Sequence, residues 1–211
     1  MSALSFAFPM SLAEKYRPRT IADFVGLEKP KQILAKFAAN PYSSAWLFSG
    51  PPGTGKTTMT LALAKTLNAE LHHIPSQQCN VTAVEEVIRQ CWYVPISGGF
   101  HLVLVDEADR MSNAAQLHFL SKLDATAFPP QTIFIFTCNT TDGLEPRFLS
   151  RTRQIEFSSY GLAAEATRLL ESIWQQEANG ASAPNFARIV KDSSNNVRDA
   201  LMCLETELLA S

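Results

Sequence analysis

Apolar runs of strand length alternate along this chain with stretches of helical period. The runs fall at residues 45–49, 70–74, 101–106, 132–137 and 154–157. Two of them, Leu102-Val103-Leu104-Val105 and Ile133-Phe134-Ile135-Phe136, have no polar interruption, the pattern of strands covered on both faces. Between the runs lie amphipathic stretches at residues 56–67, 81–91 and 113–123, the last with Ser112 placed to cap it. Alternation of this kind predicts an α/β protein built on a five-stranded parallel sheet flanked by helices. After Tyr160-Gly161 the pattern changes: helical patterns follow at residues 162–178, 184–192 and 195–209, and no strand returns. Residues 179–184 carry turn chemistry, with Pro184 suited to a first helical turn. The predicted organisation is a nucleotide-binding domain over residues 1–159 and a small three-helix lid over residues 160–211.

Composition narrows the function classes. A chain of 211 residues with 46% hydrophobic and 18% charged residues can bury a sizeable core. Its net charge of −2 offers no global basic field, so any nucleic-acid contact must come from a local patch. The four cysteines, Cys79, Cys91, Cys138 and Cys203, form no C-x-x-C pair, which argues against a zinc module or a disulfide framework and for reduced thiols in a cytoplasmic protein, or a nucleoid or nuclear one. Adjacent His72 and His73 in a strand-like run point to opposite faces, an arrangement expected of structural residues. Met1 to Met10 has no basic lead and is broken by Pro9, so neither a secretory leader nor a membrane span is expected.

The decisive chemistry lies in Gly50-Pro51-Pro52-Gly53-Thr54-Gly55-Lys56-Thr57, which fits G-x-x-x-x-G-K-[ST]. Glycines let main-chain N–H groups turn inward against phosphate oxygens, and the helix that opens at Lys56 aims its first N–H groups at the same anion. Lys56 supplies a point charge to the terminal phosphates, and the Thr57 hydroxyl can ligate Mg²⁺. The loop lies between an apolar strand and an amphipathic helix, as a P-loop NTPase requires. ATP with Mg²⁺ is the expected ligand, with Pro52 to Thr58 (Pro52, Gly53, Thr54, Gly55, Lys56, Thr57 and Thr58) as its contacts.

A second constellation ends the third run, where Leu102-Val103-Leu104-Val105 leads straight into Asp106-Glu107. A carboxylate at such a strand end can hold Mg²⁺, the role expected of Asp106. Glu107 then becomes the candidate to orient or deprotonate the attacking water. Asp109 is open to a capping role as well as a functional one.

Asp106-Glu107-Ala108-Asp109 together with Gly50–Thr57 resembles the AAA+ ATPases, and other segments resemble their clamp-loader group. Glu14-Lys15-Tyr16-Arg17-Pro18 with Phe24-Val25-Gly26 is similar to the N-terminal box, which implies adenine contacts from Tyr16, Arg17, Pro18, Val25 and Gly26. Thr137-Cys138-Asn139 is similar to sensor 1, which implies Asn139 near the γ-phosphate. Glu145-Pro146-Arg147-Phe148-Leu149-Ser150-Arg151 resembles the Ser-Arg-Cys segment, which implies that Arg151 reaches a neighbouring subunit's ATP; Thr152 stands where the family has cysteine. Asn195-Asn196-Val197-Arg198-Asp199-Ala200-Leu201 is similar to sensor 2, which implies Arg198 as a charge directed at the nucleotide from the lid.

The resemblance spans about residues 12–209 and is closer to replication factor C small subunits and phage clamp loaders than to bacterial clamp-loader motors, whose zinc-binding insert is missing. It implies an ATPase that is weak as a monomer, partners in neighbouring AAA+ subunits, a sliding clamp and primer–template DNA, and no membrane. It places the helix start at Asn80-Val81-Thr82 facing DNA phosphates, against the plainer reading of a helix cap. The helical collar of clamp-loader pentamers is absent from the sequence, which implies either a shortened form or a minimal ATPase. The same chassis also serves nucleotide-dependent scaffolds and remodellers, so the client stays open at this stage.

Overall fold

The structure is a computed structural model and describes residues 10–96, 98–178 and 180–210. In chain order the helices are α1 (Leu12–Lys15), α2 (Glu28–Ala39), α3 (Lys56–Thr66), α4 (Val81–Gln90), α5 (Asn113–Lys122), α6 (Pro146–Ser150), α7 (Ala163–Glu177), α8 (Phe186–Asp192) and α9 (Val197–Ala210). The strands are β1 (Ser44–Ser49), β2 (Glu70–Pro75), β3 (His101–Asp106), β4 (Thr132–Cys138) and β5 (Arg153–Glu156). Contacts divide the chain into two compact units. Pro18–Ser158 forms one; the described residues up to Arg17, with those from Ser159 onward, form the other.

In the larger unit the strands run parallel in the order β2-β3-β4-β1-β5. The expected five-stranded parallel sheet is therefore present, and its strand bounds fall within one residue of the expected ones. Period-two alternation sends successive side chains to opposite faces and so builds two apolar layers. Leu47, Val103, Val105, Phe134 and Phe136 pack on one face with Val84 and Ile88 of α4 and Phe119 of α5. Trp46, Phe48, Leu102, Leu104, Ile133 and Ile135 pack on the other with Leu34 and Phe37 of α2 and Met59 and Leu63 of α3. The uninterrupted runs in β3 and β4 are explained by this covering of both faces.

Helix α2 was not anticipated from the sequence. Its Pro30 is the third helical residue, where a missing N–H costs nothing because first-turn donors have no intrahelical acceptor. Leu34 and Phe37, three apart, then fix its buried stripe.

The smaller unit packs α7, α8 and α9 with α1 around Leu12, Leu170, Ile173, Trp174, Val190, Leu201 and Leu204. The three helices expected after residue 160 are there. The organisation differs from the expected split at residue 159 in one respect: the N-terminal helix belongs with them. Leu12 is 6% exposed in that apolar cluster, its N–H donates to Glu205 Oε1 at 3.1 Å, and Lys15 Nζ lies 2.7 Å from Glu177 Oε1. Residues 1–9 and Asn179, on which part of the terminal and turn readings fell, lie outside the described residues.

Candidate nucleotide site

Three neighbouring strands, β3, β4 and β1, deliver their carboxyl ends to one edge of the sheet, the edge where parallel α/β sheets bind ligands. From β1 the chain enters the glycine loop. Gly50 sits at φ 146°, and a Cβ there would stand 2.1 Å from the carbonyl oxygen of Phe157, so only glycine lets the loop leave the strand on this path. Gly53 and Gly55 also have positive φ, and Gly55 is the N-cap residue of α3. The ring of Phe24 lies against Gly55, close enough that an added Cβ would be 3.0 Å from it. Phe24 lies in the segment similar to the N-terminal box, and its ring backs the glycine loop, with Pro18, Val25 and Gly26 in the same unit.

Lys56 is 8% exposed, and its ammonium group donates to the carbonyl oxygens of Gly50 at 2.6 Å and Pro51 at 2.8 Å. It also donates to Asn139 Oδ1 at 3.2 Å, joining the loop to the end of β4. The Thr54 hydroxyl donates to the Pro51 carbonyl at 2.8 Å, which closes the loop on itself. Pro52 is exposed, while Thr57 and Thr58 are half-buried on the first turn of α3.

The Thr57 hydroxyl donates to Asp106 Oδ1 at 2.8 Å across 49 residues of sequence. The same oxygen accepts from the Thr137 hydroxyl at 2.6 Å, and Thr137 Oγ1 accepts from the Glu107 N–H at 3.2 Å. Asp106 Oδ2 stands 3.5 Å from His73 Nε2. A carboxylate oxygen beside a threonine hydroxyl is a hard-oxygen donor set, and it fits Mg²⁺ chemically. Glu107 has φ 50°, an uncommon conformation for a side chain of this kind and one associated with functional turns. Its Oε2 is 3.5 Å from Arg110. Burial pushes the neighbouring Cys138 thiol up to about 11, with Asp109 adding to the effect, so it stays protonated near neutrality.

Thr137 and His73 were missed as site residues by the sequence reading. Parallel pairing places Val105 opposite Phe136 and Pro75 opposite Asp106, so residues 137, 106 and 73 converge only once the strand order is known. Thr137 had a faint signal, since it stands two residues before Asn139 at the end of β4.

The remaining expected residues belong to other segments of the chain. Arg151 is the C-cap of α6, where Nε pairs with Asp124 Oδ1 at 2.8 Å. Its segment is anchored by Phe148, fully buried edge-on to Phe136 with ring centroids 4.8 Å apart, and by Gln116, which bonds Gly143 O and Glu145 N. Arg198 lies on the first turn of α9, its N–H bonded to Asn196 Oδ1 at 3.0 Å. Tyr16 and Arg17 belong to the helical unit as well. The Tyr16 hydroxyl bonds the Glu177 carboxylate, and burial first, then that contact, raises the phenol to about 12, while Arg17 pairs with Glu14 at 2.8 Å. Asn80 caps α4, its Oδ1 accepting from Ala83 N–H at 2.9 Å.

Residues 46–160, more than half of the chain, match the ATPase family associated with various cellular activities (AAA). The chain belongs to the AAA ATPase family. Nucleotide binding comes with that membership. Over 200 residues, 91% of this chain, it is 34% identical to replication factor C subunit 3 of Blastobotrys adeninivorans and 35% identical to replication factor C small subunit 2 of Pyrobaculum arsenaticum. It spans 58% and 61% of those two relatives, respectively. Human replication factor C subunit 4 is 28% identical over 95% of this AAA chain, which covers 59% of it. The fold is similar to the Thermotoga maritima RuvB Holliday junction branch migration motor, with a TM-score of 0.73, 18% identity, and coverage of 90% of this chain and 64% of the other. Among the described residues no helix is long and apolar enough to cross a membrane.

Proposed function

We propose that this AAA chain is an ATP-hydrolysing unit of a clamp-loader-like assembly, which uses ATP to associate with neighbouring AAA subunits on primer–template DNA beside a sliding clamp. The observation that carries the reading is the meeting of Lys56, Thr57, Asp106 and Asn139 at one sheet edge, in a chain similar to replication factor C small subunits over most of its length.

In this reading the glycine loop and the α3 N-terminus hold the triphosphate, and Lys56 gives up its carbonyl contacts to meet the terminal phosphates. Thr57 and Asp106 would hold Mg²⁺, which neutralises phosphate charge when bound. Thr137 keeps Asp106 aimed, and its hydroxyl also fixes the Glu107 main chain, so both acidic side chains are positioned by one group. Glu107 takes the proton of the attacking water, and Asn139 orients the γ-phosphate end. For Tyr16, Arg17 and Arg198 the support is the motif each occupies. For Arg151 it is the motif together with a rigid, exposed seat at the end of α6. An arginine from a neighbour is worth roughly 10³–10⁵ in rate in phosphate-loop enzymes, so the isolated chain hydrolyses slowly.

The test is the ATPase rate with and without primed DNA and a sliding clamp, alongside mass determination in ATP. The proposal expects a higher-mass species in ATP and stimulation that needs both DNA and clamp. ATP-driven assembly with no response to either would identify a nucleotide-dependent scaffold instead.

A further inference from the structure

At the opposite end of the sheet from the phosphate loop, three side chains converge that have nothing to do with nucleotide. His72 comes from β2, His101 from the start of β3 and Cys91 from the C-cap of α4. Their candidate ligand atoms lie within 4.8 Å of one another. Cys91 is fully buried and His101 is 2% exposed. Glu70, paired with His101 across the sheet, brings Oε2 to 3.9 Å from His101 Nδ1.

We propose that His72, Cys91, His101 and Glu70 form a structural zinc site that pins the α4–β3 connection to the sheet. The expectation that zinc ligation is poorly supported came from cysteine spacing, and a site assembled by strand pairing has no such signature.

The hydrogen bonding prepares the ligands. His101 Nε2 faces the Tyr93 carbonyl oxygen at 3.0 Å, and since a carbonyl only accepts, Nε2 must carry the proton. A main-chain carbonyl on the outer nitrogen is the partner that metal-bound histidines commonly have. The other nitrogen, Nδ1, then presents a lone pair. It faces His72 Nε2 at 2.9 Å, so one positive centre, a proton or a metal ion, has to lie between the two rings.

The ligand set selects the ion. Two imidazoles, a thiolate and a carboxylate suit Zn²⁺ among common divalent ions and do not suit Mg²⁺ or Ca²⁺. Zinc bonds of about 2.0–2.3 Å place tetrahedral ligand atoms about 3.3–3.8 Å apart. The imidazole nitrogens would part by about 0.4 Å and the sulfur would close by up to about 1 Å, both within reach of small side-chain rotations. On binding, the Cys91 thiol proton leaves to solvent, and His72 moves its remaining proton from Nε2 to Nδ1. Without an ion, burial holds that thiol up at about 12, and burial followed by His101 lowers His72, so both groups wait neutral. Tyr93 O and Ile96 N–H, which bond His101 and Glu70, tie the connection to the same cluster.

The experiment is titration of the purified, metal-free chain with Co²⁺ alone, read by absorption. A thiolate-to-cobalt charge-transfer band that saturates at one equivalent and is displaced by Zn²⁺ is expected. Cys91→Ser should abolish the band, and His72→Gln, a partly exposed position, should weaken Co²⁺ binding by more than about tenfold. Cys203→Ser, at an exposed cysteine, should leave it unchanged. The Mg²⁺ site has no sulfur ligand and cannot produce this band. A wild-type chain without the band, or a band that persists in folded Cys91→Ser or His72→Gln at full affinity, overturns the proposal.

Discussion

Thr137 shows how much one hydroxyl can organise. It is 2% exposed, donates to the Asp106 carboxylate and accepts from the Glu107 amide. Replacing it with valine preserves shape but removes both contacts, and leaves a half-buried carboxylate oxygen with one donor fewer. A hydrogen bond to a charged group contributes about 1.5–3 kcal/mol. Thr137→Val should therefore lower unfolding stability by about that amount in urea and raise the Mg²⁺ needed for half-maximal nucleotide binding. Unchanged values for both would remove Thr137 from the site. At this scale the sequence was only partly readable. Lys56, Thr57 and Asp106 announced themselves because their chemistry is tied to a local pattern. Thr137, His73 and the His72–Cys91–His101 cluster did not, since pairing across strands 30 or so residues apart brings each into place.

Among the elements, the strands were the most legible, because burial on both faces leaves no polar interruption in β3 and β4. Their order was not legible, and order decides which strand ends meet. Short α1 and α6 and the proline-containing α2 escaped notice because tertiary contacts, such as Phe148 on Phe136, outweigh weak local preference. The turn from β1 into α3 makes a sharp element-scale prediction. Gly50→Ala places a methyl group 2.1 Å from the main-chain oxygen of Phe157 at φ 146°. Gly99→Ala meets nothing within 4 Å. The first should cost more than about 3 kcal/mol or prevent folding, the second less than about 0.5 kcal/mol, as read by thermal unfolding. Equal melting temperatures would contradict the fit described for the loop.

For the molecule as a whole, the proposed sharing of sites between neighbours has its own test. Arg151 sits beyond α6 and Glu107 at the end of β3, and the proposal assigns them to different nucleotides. Arg151→Ala and Glu107→Gln chains, each with hydrolysis reduced by about 10² or more, should regain measurable activity when mixed. No recovery in a mixture proven to co-assemble would place both residues on one site or remove one of them. A helical unit apart from the sheet unit could be anticipated from the change of pattern after residue 160. The docking of α1 among the C-terminal helices could not, because four residues of helix carry too little pattern to show which core Leu12 joins.

The proposed function rests on a triphosphate held at the amino end of α3 beside Lys56. Calorimetric titration of Mg-ATP into the folded chain tests this most directly. The account predicts saturable binding at one site per chain, lost by at least about tenfold in Lys56→Ala. Absence of heat at millimolar Mg-ATP, or undiminished binding in Lys56→Ala, would contradict it.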